Sequence, residues 1–217
     1  MSLAIFDLDN TLLGGDSDHA WGEFLVQNKL VDARWYQQKN DNFYQDYQRG
    51  NLDMFAYQEF VLSVLAANSL ENLHQWSVRF INEVIRPMIL PKGVSLIQEH
   101  RERGDHLLII TATNDFITAP IAQLLGINDL IATTAELSKT GYTGKISGTP
   151  SFQTGKVERL SLWLKDNNVS IDGACFYSDS HNDLPLLQLV DNPVAVDPDD
   201  LLKAKAQENN WKIISLR

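Results

Sequence analysis

The sequence lacks features that several classes of protein need. Its single cysteine, Cys175, excludes an intrachain disulfide and any zinc site built from several thiolates. Basic residues are also few, with 18 Lys and Arg against 28 Asp and Glu, so the net charge is −10. Because affinity for nucleic acid comes largely from Lys and Arg neutralising phosphates, this balance argues against a nucleic-acid partner. It disfavours binding to an anionic membrane as well.

Long apolar segments are scarce too. The uncharged, apolar stretch at residues 60–70 is only about half of the roughly 20 residues that a membrane span needs. The first residues run directly into Asp7 without the basic region and long apolar segment of a secretory signal. We therefore expect a soluble cytoplasmic protein, either a monomer or a weak homodimer.

Short apolar runs alternate with segments of helical periodicity outside the region from residue 17 to residue 90. The runs have the composition of buried parallel strands and lie at residues 3–6, 107–110, 174–177, 193–196 and 212–214. Strands that alternate with helices indicate βαβ units. The pattern predicts an α/β fold with a Rossmann-like, doubly wound parallel sheet.

Residues 17–90 interrupt this alternation. They carry helix-period apolar stripes without a convincing strand, and they contain 12 of the 20 aromatic residues of the chain. We therefore predict a core domain of residues 1–16 and 91–217 and an inserted, all-helical cap domain of residues 17–90. An insertion directly after the first strand would cover the carboxyl ends of the sheet, where open α/β folds bind ligands.

The first apolar strand runs into two carboxylates, Asp7 and Asp9, in the segment FDLDNTL. Because side chains two positions apart on a strand point the same way, both carboxylates would face one site at the carboxyl end of the strand. Two like charges there repel unless one carries a proton or a cation lies beside them. On its own the segment is equally compatible with a plain turn in which Thr11 caps a helix.

Two more carboxylates follow the apolar run at 174–177, in the segment SDSHND, where Asp179 and Asp183 lie four positions apart. Hard oxygen ligands gathered from two strand ends suit Mg²⁺, which binds a few carboxylates together with water and phosphate oxygens. The sequence therefore predicts a Mg²⁺ site in which Asp179 is a ligand.

Thr111 and Lys156 add a hydroxyl and a positive charge. Thr111 follows the run at 107–110 and precedes a helix, whose free N-terminal amides favour phosphate oxygens. Lys156 lies at the start of a later helix, where the helix dipole disfavours a positive charge. This placement indicates that another group requires the charge of Lys156.

Taken together, FDLDNTL, Thr111, Lys156 and SDSHNDLPLL resemble the four motifs of the haloacid dehalogenase superfamily, in the same order. The helical insertion between the first and second motifs is similar to that of subfamily IB, a phosphoserine-phosphatase-like branch that includes histidinol-phosphate phosphatases. The resemblance covers the whole chain. It departs at Thr111, where serine is frequent, and at Ser178, where glycine is frequent, and neither change removes a required functional group.

The resemblance implies a phosphatase in which Asp7 is the nucleophile and forms an aspartyl-phosphate, and Asp9 is the general acid and base. It implies Mg²⁺ bound by Asp7, the backbone carbonyl of Asp9, and Asp179. It further implies that Lys156 and Thr111 contact the phosphoryl group. The supporting residues would be Asp183, which orients Lys156, and Asn182.

The substrate would be a small phosphate ester, and the cap would select it. Asp16 matches an acidic residue that contacts the substrate amine in phosphoserine phosphatases, and we expect Asp16, Asp18 and Thr11 to bind substrate. The acidic residues Asp16 and Asp18 favour a substrate whose alcohol part is positively charged. Histidinol phosphate fits, because it carries an amine and an imidazole but no carboxylate. Phosphoserine stays an alternative, because a cap arginine, Arg34 or Arg49, could bind its carboxylate. Other small-metabolite phosphates, phosphoryl transfer to an acceptor other than water, and a regulatory binding module also remain open.

Overall fold

The computed structural model describes residues 2–217. A seven-stranded sheet forms its centre in the order β4-β3-β2-β1-β5-β6-β7. The strands are β1 (Leu3–Phe6), β2 (His106–Asn114), β3 (Asp129–Ser138), β4 (Gly141–Ser147), β5 (Cys175–Ser178), β6 (Asn192–Val196) and β7 (Lys212–Ile214). All neighbours pair in parallel except β3 and β4, which pair antiparallel. The predicted α/β class with a doubly wound, mostly parallel sheet is confirmed.

The helices are α1 (Ser17–Gln27), α2 (Ala33–Gln48), α3 (Met54–Ala66), α4 (Leu70–Phe80), α5 (Arg86–Met88), α6 (Pro91–Glu102), α7 (Asp115–Leu124), α8 (Thr154–Asn167), α9 (Leu184–Leu187) and α10 (Asp200–Glu208). A π-helical turn, Ile81–Ile85, joins α4 to α5. In the part of the chain that the structure describes, no helix is both long enough and apolar enough to cross a bilayer.

The chain order of the strands creates a switch point between β1 and β5. From β1 the chain builds one half of the sheet through β2, β3 and β4, and it then returns to the other side of β1 with β5, β6 and β7. Connections leave β1 and β5 in opposite directions, which opens a crevice at their carboxyl ends. All four side chains of β1 are buried, so the strand that leads into this crevice lies in the core of the molecule.

Two strands, β3 and β4, were not predicted. They form a hairpin at the edge of the sheet and contain several Thr and Ser residues, with Ile131, Ala132 and Thr133 of β3 buried in succession and most of β4 half-buried or exposed. Neither strand contains an apolar run as long as most of those in the predicted strands, because Thr133 and Thr134 interrupt β3 and polar residues recur along β4. Strand β2 is longer than the apolar run at 107–110 and extends from His106 to Asn114.

Helices α1 to α4 lie within residues 17–80 and are called the cap helices below. Their aromatic core includes Trp21, Phe24 and Phe80, whose rings contact one another at centroid distances of 5.1 to 5.5 Å. Asp16, Asp32, Asp53 and Ser69 cap their N-termini, each accepting a backbone hydrogen bond. The division of the chain into two domains at residues 17 and 90 stays a prediction.

Gly22 allows α1 and α2 to approach closely. A Cβ atom at this position would lie 2.5 Å from Asn40 Nδ2 and 2.8 Å from the Tyr36 ring. We therefore expect Gly22→Ala to destabilise the protein by about 1–3 kcal/mol because of overpacking, although the same change in an open helix stabilises by about 1 kcal/mol. Urea unfolding measures the difference, with the exposed Glu23→Ala in the same helix as the control. A stabilised Gly22→Ala protein would contradict this close contact.

Candidate active site

The carboxyl ends of β1 and β5 bring the two acidic segments together. The Asp7 amide donates to the Tyr177 carbonyl at 2.9 Å, so β1 and β5 stay paired up to the first catalytic candidate. Asp7, Asp9 and Asp183 are each more than nine-tenths buried and line one pocket beneath the cap helices. The sequence-predicted carboxylates of β1 therefore meet Asp183 at the switch point of the sheet.

Lys156 lies between two of these carboxylates. Its Nζ donates to Asp7 Oδ1 at 2.8 Å and lies 2.7 and 2.8 Å from the two oxygens of Asp183. Ser178 donates to Asp183 Oδ2 at 2.7 Å and so fixes the second carboxylate. Burial by itself lowers the pKa of Lys156, but the charges of Asp183 and Asp7 outweigh it, so the ammonium stays protonated. The unfavourable position of a lysine at a helix start is explained by these two contacts.

Asp9 is oriented by three donors from two directions. The Ser17 amide at the start of α1 donates to Asp9 Oδ1 at 2.6 Å, and the hydroxyls of Thr113 and Thr111 donate to Oδ2 at 2.8 and 3.4 Å. Asp9 therefore connects the first cap helix to the end of β2. Thr111, predicted to contact the phosphoryl group, lines the same pocket and makes the weaker of the two hydroxyl contacts.

Asp179 directly follows β5, and Thr11 orients it. The Thr11 hydroxyl donates to Asp179 Oδ1 at 3.0 Å and accepts from the Asp179 amide at 3.1 Å. Thr11 is fully buried and does not line the pocket that contains Asp7. The structure thus places Thr11 against Asp179, away from the pocket in which substrate binding was predicted for it.

Burial and neighbouring negative charges raise the pKa values of the carboxylates in this cluster. Burial raises the pKa of Asp7 to about 7, with a further increase from Asp183 that the charge of Lys156 opposes. Burial, followed by the charge of Asp16, raises the pKa of Asp9 to about 6, while hydrogen bonds from Ser17 and Thr113 oppose the rise. Burial and the charges of Asp7 and Asp183 raise the pKa of Asp179 well above its ordinary value. The cluster contains more negative charge than Lys156 neutralises.

This donor set fits a hard divalent cation. Asp179 makes no ion pair among residues 2–217 and lies near two other carboxylates, so its environment favours a cation. No three His, Cys, Asp or Glu side chains form a metal-binding group in the described part of the chain. A site built from a few carboxylates with backbone and water oxygens is what Mg²⁺ prefers, and it needs no such closed group.

The pocket continues from the carboxylates towards the cap. Its cap side is lined by Asp16, Asp18, His19, Asn40, Phe43, Tyr44, Tyr47, Leu52, Met54 and Tyr57. Asp16 caps α1 and accepts from the His19 amide at 2.8 Å. Asn182 also lines the pocket, where its Oδ1 accepts from Gln153 at 3.1 Å and its Nδ2 lies 3.5 Å from the Tyr47 carbonyl. Asp16, Asp18 and Asn182 therefore line this pocket, while substrate binding by the two carboxylates and a supporting role for Asn182 stay predictions.

Sequence reasoning missed three positioning residues, namely Ser17, Thr113 and Ser178. The roles of Thr113 and Ser17 depend on how β2 and α1 approach Asp9, which local patterns do not show. Ser178 directly precedes an acidic residue at a strand end, and its hydroxyl could have been recognised as a donor to that segment.

Comparison with known proteins agrees with this geometry. Residues 4–188 match the model of the haloacid dehalogenase-like hydrolase family. A histidinol-phosphatase of Neisseria meningitidis is 45% identical over 100% of this chain and 99% of its own length. A crystal structure of a protein of unknown function from Bordetella pertussis is 41% identical, with a TM-score of 0.94 over 100% of this chain and 99% of that one. A phosphoserine phosphatase, solved as a phospho-aspartyl intermediate analogue, shares the fold with a TM-score of 0.73 at 17% identity, covering 100% and 93% of the two chains.

The chain therefore belongs to the haloacid dehalogenase-like hydrolase family. Within that family it is a phosphatase.

The hydrogen bond from Thr113 to Asp9 can be tested. Because a hydrogen bond to a charged group contributes about 1.5–3 kcal/mol, we expect Thr113→Val to lower kcat roughly 10- to 100-fold with para-nitrophenyl phosphate. The matched control is Thr118→Val, since Thr118 is equally buried but donates to the Asn114 carbonyl at 2.9 Å. Equal kcat losses in both variants would contradict a specific role of Thr113 in orienting Asp9.

Proposed function

We propose that this phosphatase hydrolyses histidinol phosphate with Mg²⁺ through an aspartyl-phosphate on Asp7. The observation that carries the proposal is the buried contact of Lys156 with both Asp7 and Asp183, beside an Asp9 whose two oxygens are oriented separately. This arrangement provides a nucleophile, a fixed positive charge and a proton donor at one pocket.

Asp7 is the nucleophile. One of its carboxylate oxygens attacks phosphorus, the bond from phosphorus to the substrate alcohol oxygen breaks, and the phosphoryl group is left on Asp7. Lys156 lies at 2.8 Å from Asp7, where its charge restrains the carboxylate and opposes the negative charge of the phosphoryl oxygens. Water then attacks the phosphorus atom, which releases phosphate and regenerates the Asp7 carboxylate.

Asp9 is the acid and then the base. It donates a proton to the leaving alcohol oxygen in the first step and accepts one from the attacking water in the second. A pKa of about 6, which follows from burial and the charge of Asp16, favours this exchange near neutral pH. Ser17 and Thr113 orient its two oxygens, so the carboxyl group keeps one direction through both steps.

Charge arithmetic supports the requirement for Mg²⁺. A carboxylate at about 4 Å from each charge of a phosphate dianion meets a repulsion of about 4 kcal/mol per pair at an effective dielectric constant of about 20. Lys156 opposes part of this repulsion, but Asp183 already shares its charge. Asp7, the backbone carbonyl of Asp9, and Asp179 would hold Mg²⁺, which supplies two positive charges and aligns the phosphate when it is bound.

The composition of the cap side supports a cationic alcohol. Asp16 and Asp18 line the pocket, and Lys156 is the one lysine or arginine that lines it among residues 2–217. Arg34 and Arg49, which could bind the carboxylate of phosphoserine, are both exposed and do not line it. Histidinol phosphate has an amine and no carboxylate, and the 45% identical relative bears the name histidinol-phosphatase.

The covalent step predicts a phosphorylated enzyme. In Asp9→Asn, acetyl phosphate still phosphorylates Asp7 because its leaving group needs no proton, but water attack is slow without the base. We expect mass spectrometry to find one added phosphoryl group on the Asp7 peptide and none in the Asp7→Asn/Asp9→Asn protein. Phosphorylation of another peptide, or equal labelling of the two proteins, would contradict the mechanism.

Substrate and metal are tested together by phosphate release. We expect histidinol phosphate to be turned over with Mg²⁺ and turnover to be lost with EDTA, and we expect phosphoserine to be a poor substrate because its carboxylate meets acidic side chains. The blank is Asp7→Asn, for which we expect a loss of kcat of at least about 10³-fold, as for other residues that carry the chemistry. Full activity in EDTA would exclude the metal requirement, and preferred hydrolysis of phosphoserine would exclude the proposed substrate.

A further inference from the structure

Asp18 is the buried carboxylate that the mechanism above does not use. It lies in the first turn of α1, is 4% exposed, and lines the pocket that contains Asp7. By hydrogen-bond geometry neither of its carboxylate oxygens has a partner within the described chain, although the Tyr57 hydroxyl lies close enough to oppose the rise in the pKa of Asp18. A buried charge without a partner is costly, so a carboxylate in this position calls for an explanation.

A structural role does not explain Asp18. Asp16 already caps α1, because its side chain accepts the His19 amide. A carboxylate in the first turn also interacts favourably with the helix dipole, but this contributes about 0.3–1 kcal/mol and needs no burial. Burial of the group therefore opposes stability and gains nothing for the helix.

The charges around Asp18 favour a positively charged ligand group. Asp16 and Asp9 are close enough for their negative charges to add to burial in raising the pKa of Asp18 well above its ordinary value. The lysine of the pocket is already bound to Asp7 and Asp183, and His19 lies 3.3 Å from Asp41. The side chains of Tyr57 and Tyr44 form part of the pocket wall. This end of the pocket thus has acceptors for a positive charge and no free cation among residues 2–217.

We propose that Asp18 determines specificity by binding the ammonium group of the substrate alcohol, so that the enzyme selects phosphate esters of amino alcohols over neutral and acidic esters. The inference rests on the proposed function, since it assigns the recognition of the leaving group in the same pocket. Asp18 acts on binding of the alcohol moiety and takes no part in the transfer of the phosphoryl group.

The test compares Asp18→Asn, which keeps size and removes charge, with the parent enzyme on four esters. Histidinol phosphate and 2-aminoethyl phosphate carry an amine and no carboxylate, phenyl phosphate is neutral in its alcohol, and phosphoserine carries both an amine and a carboxylate. We expect kcat/KM for the two amino-alcohol esters to fall roughly 10- to 100-fold in Asp18→Asn, mainly through KM. We expect less than about a 3-fold change for phenyl phosphate, because that ester makes no charged contact with Asp18.

The matched control is Asp200→Asn. Asp200 also lies in the first turn of a helix, α10, but it is exposed and does not line the pocket. We expect this variant to behave as the parent with all four esters. Because Asp18→Asn removes an unpartnered buried carboxylate, we also expect its thermal midpoint to be no lower than that of the parent.

Equal losses on neutral and amino-alcohol esters in Asp18→Asn would overturn the proposal and assign Asp18 a structural role. A parent enzyme without preference for amino-alcohol esters over phenyl phosphate would overturn it as well. If 2-aminoethyl phosphate shows the predicted pattern but histidinol phosphate is not hydrolysed, the role of Asp18 stands and the proposed substrate fails.

A binding measurement tests the role of Asp18 independently of phosphoryl transfer. Histidinol, the product alcohol, is titrated calorimetrically into the parent and into Asp18→Asn. We expect binding to weaken about 10-fold or more in the variant, the loss expected for a hydrogen-bonded charge. Equal affinities would overturn the proposal even if the phosphatase assays succeed.

Discussion

Much of this structure depends on burying several carboxylates around a single lysine. The buried Asp7, Asp9 and Asp183 and the half-buried Asp179 are brought together at the carboxyl ends of β1 and β5, and Lys156 neutralises only part of their charge. Such a cluster opposes folding, because each carboxylate loses hydration that one ammonium cannot replace. The buried strand β1 and the aromatic core of the cap helices provide the hydrophobic stabilisation that offsets this cost.

Uncharged hydrogen-bond donors orient these carboxylates. Hydroxyls from Thr11, Thr113 and Ser178 and the amide of Ser17 each donate to one carboxylate. Thr11 lies in the turn after β1, and the other three donors lie at a strand end or a helix start. These contacts fix the direction of each carboxylate and still leave net negative charge in the pocket. The remaining charge is available to ligands, so the same imbalance that opposes folding favours binding of cations. We interpret the site as having two cation-attracting regions, one at Asp179 for Mg²⁺ and one at Asp18 for an ammonium group.

The core of this arrangement could be predicted from the sequence because its parts are local. A buried run followed by Asp7 and Asp9 implies a strand end with two carboxylates, and the misplaced charge of Lys156 implies a partner. The edge hairpin β3-β4 could not be found this way, since polar residues interrupt the apolar segments of both strands. Thr11 illustrates a second limit, because the residue types show that a hydroxyl follows Asp9 but not that it lies against Asp179. Likewise, only the fold shows that Asp18 is buried without a partner whereas Arg34 and Arg49 are exposed.

The most direct test of the account is a crystal structure of Asp7→Asn bound to histidinol phosphate and Mg²⁺, because it shows both ends of the substrate at once. We expect the phosphate beside position 7 and Lys156, with the metal at Asp179 and the ammonium group within hydrogen-bonding distance of Asp18. An ammonium group that points away from Asp18 into solvent, or a phosphate bound outside this pocket, would contradict the view that unbalanced buried charge determines what this enzyme binds.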